Sequence, residues 1–185
     1  MNNDDKRVRK TKKALQIALV ELLSEKDLDK ISVKEITEKA DVHRVTFYSH
    51  YQDIYELYAE LENDSLSGIT DFIGTDPSHS YEDMFIHVVD YIYENRWICP
   101  LLFKNPSLLD KVLDMLEEQY LEIWKFEDHT DVVTSDMRYL TAYNISGCQA
   151  IIRHWWRNGF SEPKENVITY LRRANRIFDA VSLIK

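Results

Sequence analysis

The sequence predicts an all-α protein of about nine helices, and three observations lead there. Only four Gly and four Pro occur in 185 residues, so few positions break a helix. Apolar side chains recur at three- and four-residue spacing through most of the chain. The stretch Ser32–Leu57 (SVKEITEKADVHRVTFYSHYQDIYEL) reads as two short helices around a tight corner, then the start of a third. A hydrophobic content of 44% suffices for a core.

Taken in order, residues 1–5 are expected to fray. The first helix is expected over 6–25, where Leu15, Ala18, Leu19, Leu22 and Leu23 form one apolar stripe. Lys26–Ile31 is a polar connection. Ser32 is a helix cap with a free hydroxyl, followed by Val33–Ala40 with Val33, Ile36, Thr37 and Ala40 on one face. Asp41 and Val42 make the corner. The next helix is expected from His43 or Arg44 to Tyr51. Val42, Phe47 and Tyr51 face its core, and His43, Arg44, Thr46, Tyr48, Ser49 and His50 present hydrogen-bond donors outward. A helix this short needs its neighbours to hold it. An outer face of donors suits a helix that enters a DNA major groove.

Asp53 is expected to cap a long helix to about residue 73, with a loop at 74–80 (GTDPSHS). A fifth helix follows over 81–95, with Met84, Phe85, Val88, Val89, Ile92 and Tyr93 apolar. Pro100 and Pro106 bracket a helical turn or two. Ser107 is read as the cap of a helix to Phe126, with Leu109, Val112, Leu113, Leu116, Tyr120 and Ile123 inward. Residues 127–134 connect it to a helix over 135–158 that Gly159 stops. Gly147, inside that helix, is expected to mark a close helix crossing. Ser161–Pro163 opens the last helix, expected to run to about Leu183, with Val167, Ile168, Leu171, Ala174, Ile177, Phe178 and Val181 apolar.

Net charge is −9, but residues 1–13 carry Lys6, Arg7, Arg9, Lys10, Lys12 and Lys13 against two aspartates. A basic end on an acidic body fits a protein that touches phosphates at one end. Its basic turns are expected to lie along a phosphate backbone. Cys99 and Cys148 have no metal-site or disulfide spacing, and the six histidines form no metal set. There is no apolar run long enough to span a bilayer and no secretory leader, so a cytoplasmic location and no membrane partner are expected. No Gly-rich phosphate loop, nucleophile elbow or helical His-Glu-x-x-His is present, so neither an enzyme nor a cofactor is expected.

The segment VHRVTFYSHYQDIYEL, and above all Thr46, Phe47, Tyr48, His50 and Tyr51, resembles the signature of the TetR family of bacterial transcription regulators. The resemblance is strong over residues 7–57. Residues 146–171 (SGCQAIIRHWWRNGFSEPKENVITYL) resemble the C-terminal part of a TetR subgroup of low-GC Gram-positive bacteria. The resemblance implies a helix-turn-helix DNA-binding domain over 1–53 and a helical effector-binding and dimerisation domain over 54–185.

Carried over position by position, it implies base-edge contacts at Arg44 and Val45. It implies phosphate and nearby base contacts at Thr46, Tyr48 and His50. Ser49, His43 and Ser32 complete the expected DNA-facing set. Two departures stand out. Asp41 occupies the corner where the family prefers Gly, and Asp tolerates the positive φ that such a corner needs. Ile54 stands where relatives carry a phosphate-reaching Lys, leaving only backbone N–H groups for a phosphate there.

The expected partners are double-stranded DNA, a second copy held through the last two helices, and a small apolar or aromatic effector. Tyr91, Trp97, Phe103, Tyr120, Trp124 and Tyr143 are the candidate pocket residues. The expected function is a ligand-responsive dimeric repressor on a pseudo-palindromic operator. The alternative is a regulator without effector, or a co-activator working through a protein partner.

Overall fold

The computed structural model describes residues 3–70 and 80–182. Among these residues the protein is helical and has no strand. Its α-helices are α1 (Asn3–Leu23), α2 (Val33–Lys39), α3 (Arg44–Tyr48), α4 (Ile54–Thr70), α5 (Tyr81–Glu94), α6 (Cys99–Lys104), α7 (Pro106–Glu127), α8 (Ser135–Arg157) and α9 (Lys164–Ser182). Single 3₁₀ turns at Leu28–Lys30 and Arg96–Ile98 join α1 to α2 and α5 to α6. The expected loop at 74–79 lies outside the described residues, as do the side chains of Ile177, Phe178 and Val181.

The chain packs as two units, one of Met1–Leu66 with Trp97–Pro106, the other of Ser67–Arg96 with Ser107–Lys185. The first has a core of Leu15, Ala18, Leu19 and Leu22 from α1, Ile36 from α2, Phe47 from α3, Leu57 and Leu61 from α4, and Leu101 and Leu102 from α6. The expected α1 stripe is therefore its inward face, with Leu23 half-buried at the edge. In the second unit α9 packs against α5 and α8. Its core includes Met84, Val89, Leu108, Val112, Tyr120, Ile145, Trp155 and Leu171. Trp155 stacks on Tyr93 with ring centres 5.5 Å apart and donates from Nε1 to the Glu162 carbonyl.

The capping chemistry explains most boundaries. Ser32 and Glu35 form a reciprocal capping box at α2, and Ser80 and Asp83 form another at α5. Asp53 caps α4 by accepting from the Tyr55 and Glu56 N–H groups. At the end of α8, Gly159 adopts φ 65°, its N–H bonds the Trp156 carbonyl, and the Phe160 N–H reaches Trp155. That is the Schellman closure in which a left-handed residue lets the last carbonyls be satisfied.

Four details differ from the sequence reading. The first helix begins at Asn3, ahead of the expected start. The helix expected to run through Tyr51 ends at Tyr48, and Ser49–Tyr51 form its closing turn. Ser107 is not the cap of α7, because the helix starts one residue earlier at Pro106, whose fixed φ and missing N–H suit a first helical position. Gly147 marks no crossing among the described residues, since none of them lies within 4 Å of where its Cβ would be.

Candidate nucleic-acid interface

The corner before α3 is built from local chemistry. Asp41 takes φ 53°, the left-handed region that non-glycine residues rarely enter. Its N–H bonds the Glu38 carbonyl, and the Val42 N–H reaches back to Thr37 at 2.9 Å. These two bonds close α2 as a Schellman motif. Asp41 therefore does what the expected corner requires. The Thr37 hydroxyl, buried, donates to Val33 and Lys34 carbonyls and ties the inner face of α2 to its own backbone.

After that corner α3 has five residues, too few to be stable alone. Phe47 anchors it: the side chain is fully buried, with the Tyr48 and Tyr51 rings 5.5 and 5.6 Å away. Around this anchor the opposite face is open. His43, Arg44, Val45, Tyr48 and Ser49 are exposed, and Thr46 and His50 are half-buried. Val45 is 82% exposed. Arg44 donates to the Tyr48 hydroxyl, and the Ser49 hydroxyl donates to the Thr46 carbonyl. Ser32, though exposed, is engaged in the α2 capping box, where the Glu35 carboxylate accepts from both its N–H and its hydroxyl. Those bonds and Lys26 hold the Glu35 carboxyl down at about 2.

Of the basic end, Lys6, Arg7, Arg9 and Lys10 are exposed. Lys12 and Lys13 turn inward. The Lys12 ammonium bonds Glu60, and the Lys13 ammonium lies 3.8 Å from the Trp97 ring centre, where burial lowers its pKa against the pull of Asp64. At the start of α4 the structure departs from the expectation of a phosphate site. The Asp53 carboxylate already occupies two N–H groups, Glu56 takes that of Gln52, and Ile54 is buried.

A polar network that the sequence reading missed joins α1, α4 and the end of the α3 segment. Glu60 accepts from Lys12 at 2.8 Å and from the Tyr51 hydroxyl at 3.0 Å. Four residues on, Gln16 donates to Asp64 at 2.8 Å. The matched spacings Lys12/Gln16 and Glu60/Asp64 were the available signal, since four residues returns to the same helix face.

The candidate effector residues are divided between the two packing units. Trp97 and Phe103 belong to the first packing unit, Tyr91, Tyr120, Trp124 and Tyr143 to the second. Tyr120 is buried, stacked on Tyr81 and edge-on to Trp124 at 6.1 Å. Tyr91 fills the space that a side chain at Gly68 would need, and Tyr143 is 68% exposed. A cavity between α5 and α9, lined by Phe85, Ile86, Ile168, Leu171 and Asn175 with Glu82 and Arg172 at its rim, holds about 10 Å³. That is room for one water. A hollow of about 280 Å³ in the first unit is flanked by Leu23, Tyr58, Pro100 and two lysines. Its lysines are engaged, Lys26 with Glu35 and Lys104 with the Ser24 carbonyl. No helix of the described residues is long and apolar enough to cross a membrane.

Comparison with known proteins falls on the same two regions. A family model described as bacterial regulatory proteins, tetR family, matches residues 18–61, and one described as a transcriptional regulator C-terminal region matches residues 79–175. An uncharacterized HTH-type transcriptional regulator, YxbF of Bacillus subtilis (strain 168), is 39% identical over 70 residues, which are 37% of this chain and 18% of that protein. The match thus spans about a fifth of that relative's length. Among solved structures, a transcriptional regulator from Aquifex aeolicus VF5 aligns with a TM-score of 0.69 at 18% identity, over 91% of this chain and 99% of the other. A TetR transcriptional regulator from Streptococcus agalactiae 2603V aligns with a TM-score of 0.55 at 24% identity, over 91% and 94%. These two likenesses are of fold.

Proposed function

The chain belongs to the TetR family of bacterial transcription regulators, and from that premise we propose that α3 reads a pseudo-palindromic operator as half of a dimer. Residues 1–53 serve DNA recognition and residues 54–185 serve dimerisation and response; this functional division is distinct from the packing units, whose border falls inside α4. The observation that carries the reading is the split character of α3. Its inner side is locked on Phe47, while Arg44 and Val45 stand outward on a helix with no other burden. Arg44 suits guanine O6 and N7, and Val45 suits a thymine methyl. Thr46, Tyr48, Ser49 and His50 suit phosphates beside them, with His43 at the helix start. Ser32 contributes as the cap that orients α2, its hydroxyl being engaged.

Two copies related by a two-fold axis through α8 and α9 would set two such helices one DNA turn apart. Exposed Tyr139 and Tyr143, with Gly147 and Ala150 farther along the same side of α8, support that face as the contact. Repression follows where the site overlaps a promoter. An effector worth ~1–3 kcal/mol of coupling would suffice to switch it. The second reading is a regulator without effector, or one acting through a protein partner.

The test is selection of binding sites from a random-core duplex library, followed by affinity measurement across salt concentrations. Recovery of an inverted repeat bound by two copies supports the proposal. Binding that shows no sequence preference in any salt sinks it.

A further inference from the structure

We propose that Glu60 is a positioning residue for DNA recognition: its carboxylate staples the end of the recognition segment to α1, and Lys12 serves that staple instead of a phosphate. The inference rests on the DNA-binding reading above and names how the first unit holds its recognition helix.

One carboxylate has two oxygens, and here each has its own partner. Oε1 accepts from the Tyr51 hydroxyl at 3.0 Å, and Oε2 accepts from Lys12 Nζ at 2.8 Å. The Lys12 ammonium also lies 5.2 Å from the Tyr51 ring centre. Three elements therefore meet at a single point: α1 through Lys12, α4 through Glu60, and the closing turn of α3 through Tyr51. The Tyr51 ring is 2% exposed, so its hydroxyl has little freedom to find another acceptor. One helical turn along, buried Gln16 donates to Asp64 and repeats the α1–α4 link.

Apolar burial of Phe47 holds α3 down but is non-directional. Hydrogen bonds have preferred lengths and angles, so they fix how the helix is turned. Charge-assisted bonds are the stiffer kind. Base readout needs Arg44 placed to within a fraction of an ångström, and a five-residue helix cannot supply that itself. Lys12, with its charge met by Glu60 and its ammonium beside the Tyr51 ring, is not available to a phosphate while the staple holds.

The experiment uses the full chain and two probes: a duplex selected from the random library, and a mixed-sequence duplex of equal length. Affinities are measured across salt for Glu60→Gln, Tyr51→Phe, Lys12→Met and, as the phosphate control, Lys10→Met. Melting curves confirm that each variant is folded at the assay temperature. Glu60→Gln keeps an acceptor for Tyr51 but loses the charge facing Lys12. Glu60→Gln and Tyr51→Phe are each expected to weaken the selected duplex about tenfold and leave the mixed-sequence duplex unchanged. Lys12→Met should keep the parent's salt slope, while Lys10→Met should lower it by about 0.9.

The staple is overturned if Glu60→Gln and Tyr51→Phe leave the ratio of the two affinities unchanged, or if Lys12→Met lowers the slope as Lys10→Met does. A parent chain that shows no preference between the two duplexes overturns the DNA-binding reading, and that is seen before any variant is made.

Discussion

Arg44 and Tyr48, one helical turn apart on α3, are joined: the guanidinium Nη2 donates to the phenol oxygen at 3.2 Å, and its carbon lies 5.5 Å from the ring centre. The pairing leaves most of the five guanidinium N–H donors for other acceptors. It also leaves the Tyr48 O–H proton free to donate onward. An exposed arginine is normally spread over many rotamers, and a stacked partner reduces that spread before any ligand arrives.

From this pairing we predict that Arg44→Ala loses preference at one base pair in each half-site, worth about 1–3 kcal/mol. Tyr48→Phe keeps the ring but not the hydroxyl and should cost about 1 kcal/mol. Competition binding with single-base operator variants measures both. Wild-type selectivity in Arg44→Ala would remove Arg44 from the interface.

The corner at Asp41 gives a stability prediction. At φ 53°, a side chain strains the backbone unless it is absent or short and polar. Asp41→Gly should therefore stabilise the fold, by less than about 1 kcal/mol once the greater freedom of unfolded Gly is counted. Asp41→Val should cost about 1–2 kcal/mol. Urea denaturation midpoints compare the three, and an order with valine above glycine contradicts the corner described here.

Gly68 on α4 and Tyr91 on α5 give a packing prediction. An alanine Cβ at 68 would overlap the far end of the Tyr91 ring, and His87 Nε2 lies 3.3 Å from the Gly68 carbonyl. Gly68→Ala should destabilise by about 1 kcal/mol, the low end for overpacking, because the outer ring can swing away. Adding Tyr91→Leu should recover part of that loss. A double variant no more stable than Gly68→Ala alone would mean the ring is not the obstacle.

Both thiols are buried, and burial pushes each from an ordinary 9.0 up to about 12. Between those values the unfolded chain releases the thiol protons and the folded chain keeps them. Stability from this source is thus complete below pH 9 and is lost as pH rises toward 12. Replacing Cys99 and Cys148 with Ala should flatten that alkaline decline in chemical-denaturation curves. Native protein at pH 8 should also react with a thiol reagent far more slowly than protein in urea. Rapid labelling of the native chain would contradict the burial.

Much of this molecule follows from local rules that a sequence carries openly. The spacing of Leu15, Ala18, Leu19 and Leu22 determined α1 and its inward face. Ser32 with Glu35, Asp53 before α4, and Gly159 after α8 determined three helix ends, because a cap needs only its own neighbours in the chain. The donors around Phe47, with the family signature, were enough to mark α3. What only the tertiary structure decided were pairings between distant positions. Lys12 and Glu60 are 48 residues apart, so no local rule says that Lys12 turns inward while Lys10 stays exposed. Likewise Gly68 meets the Tyr91 ring while Gly147 meets nothing among the described residues of its own chain, a difference made by which helix arrives opposite and not by the glycine. The surroundings of each candidate aromatic were decided in the same way. Composition counts them, but packing assigns each to a core, a surface or a neighbouring ring.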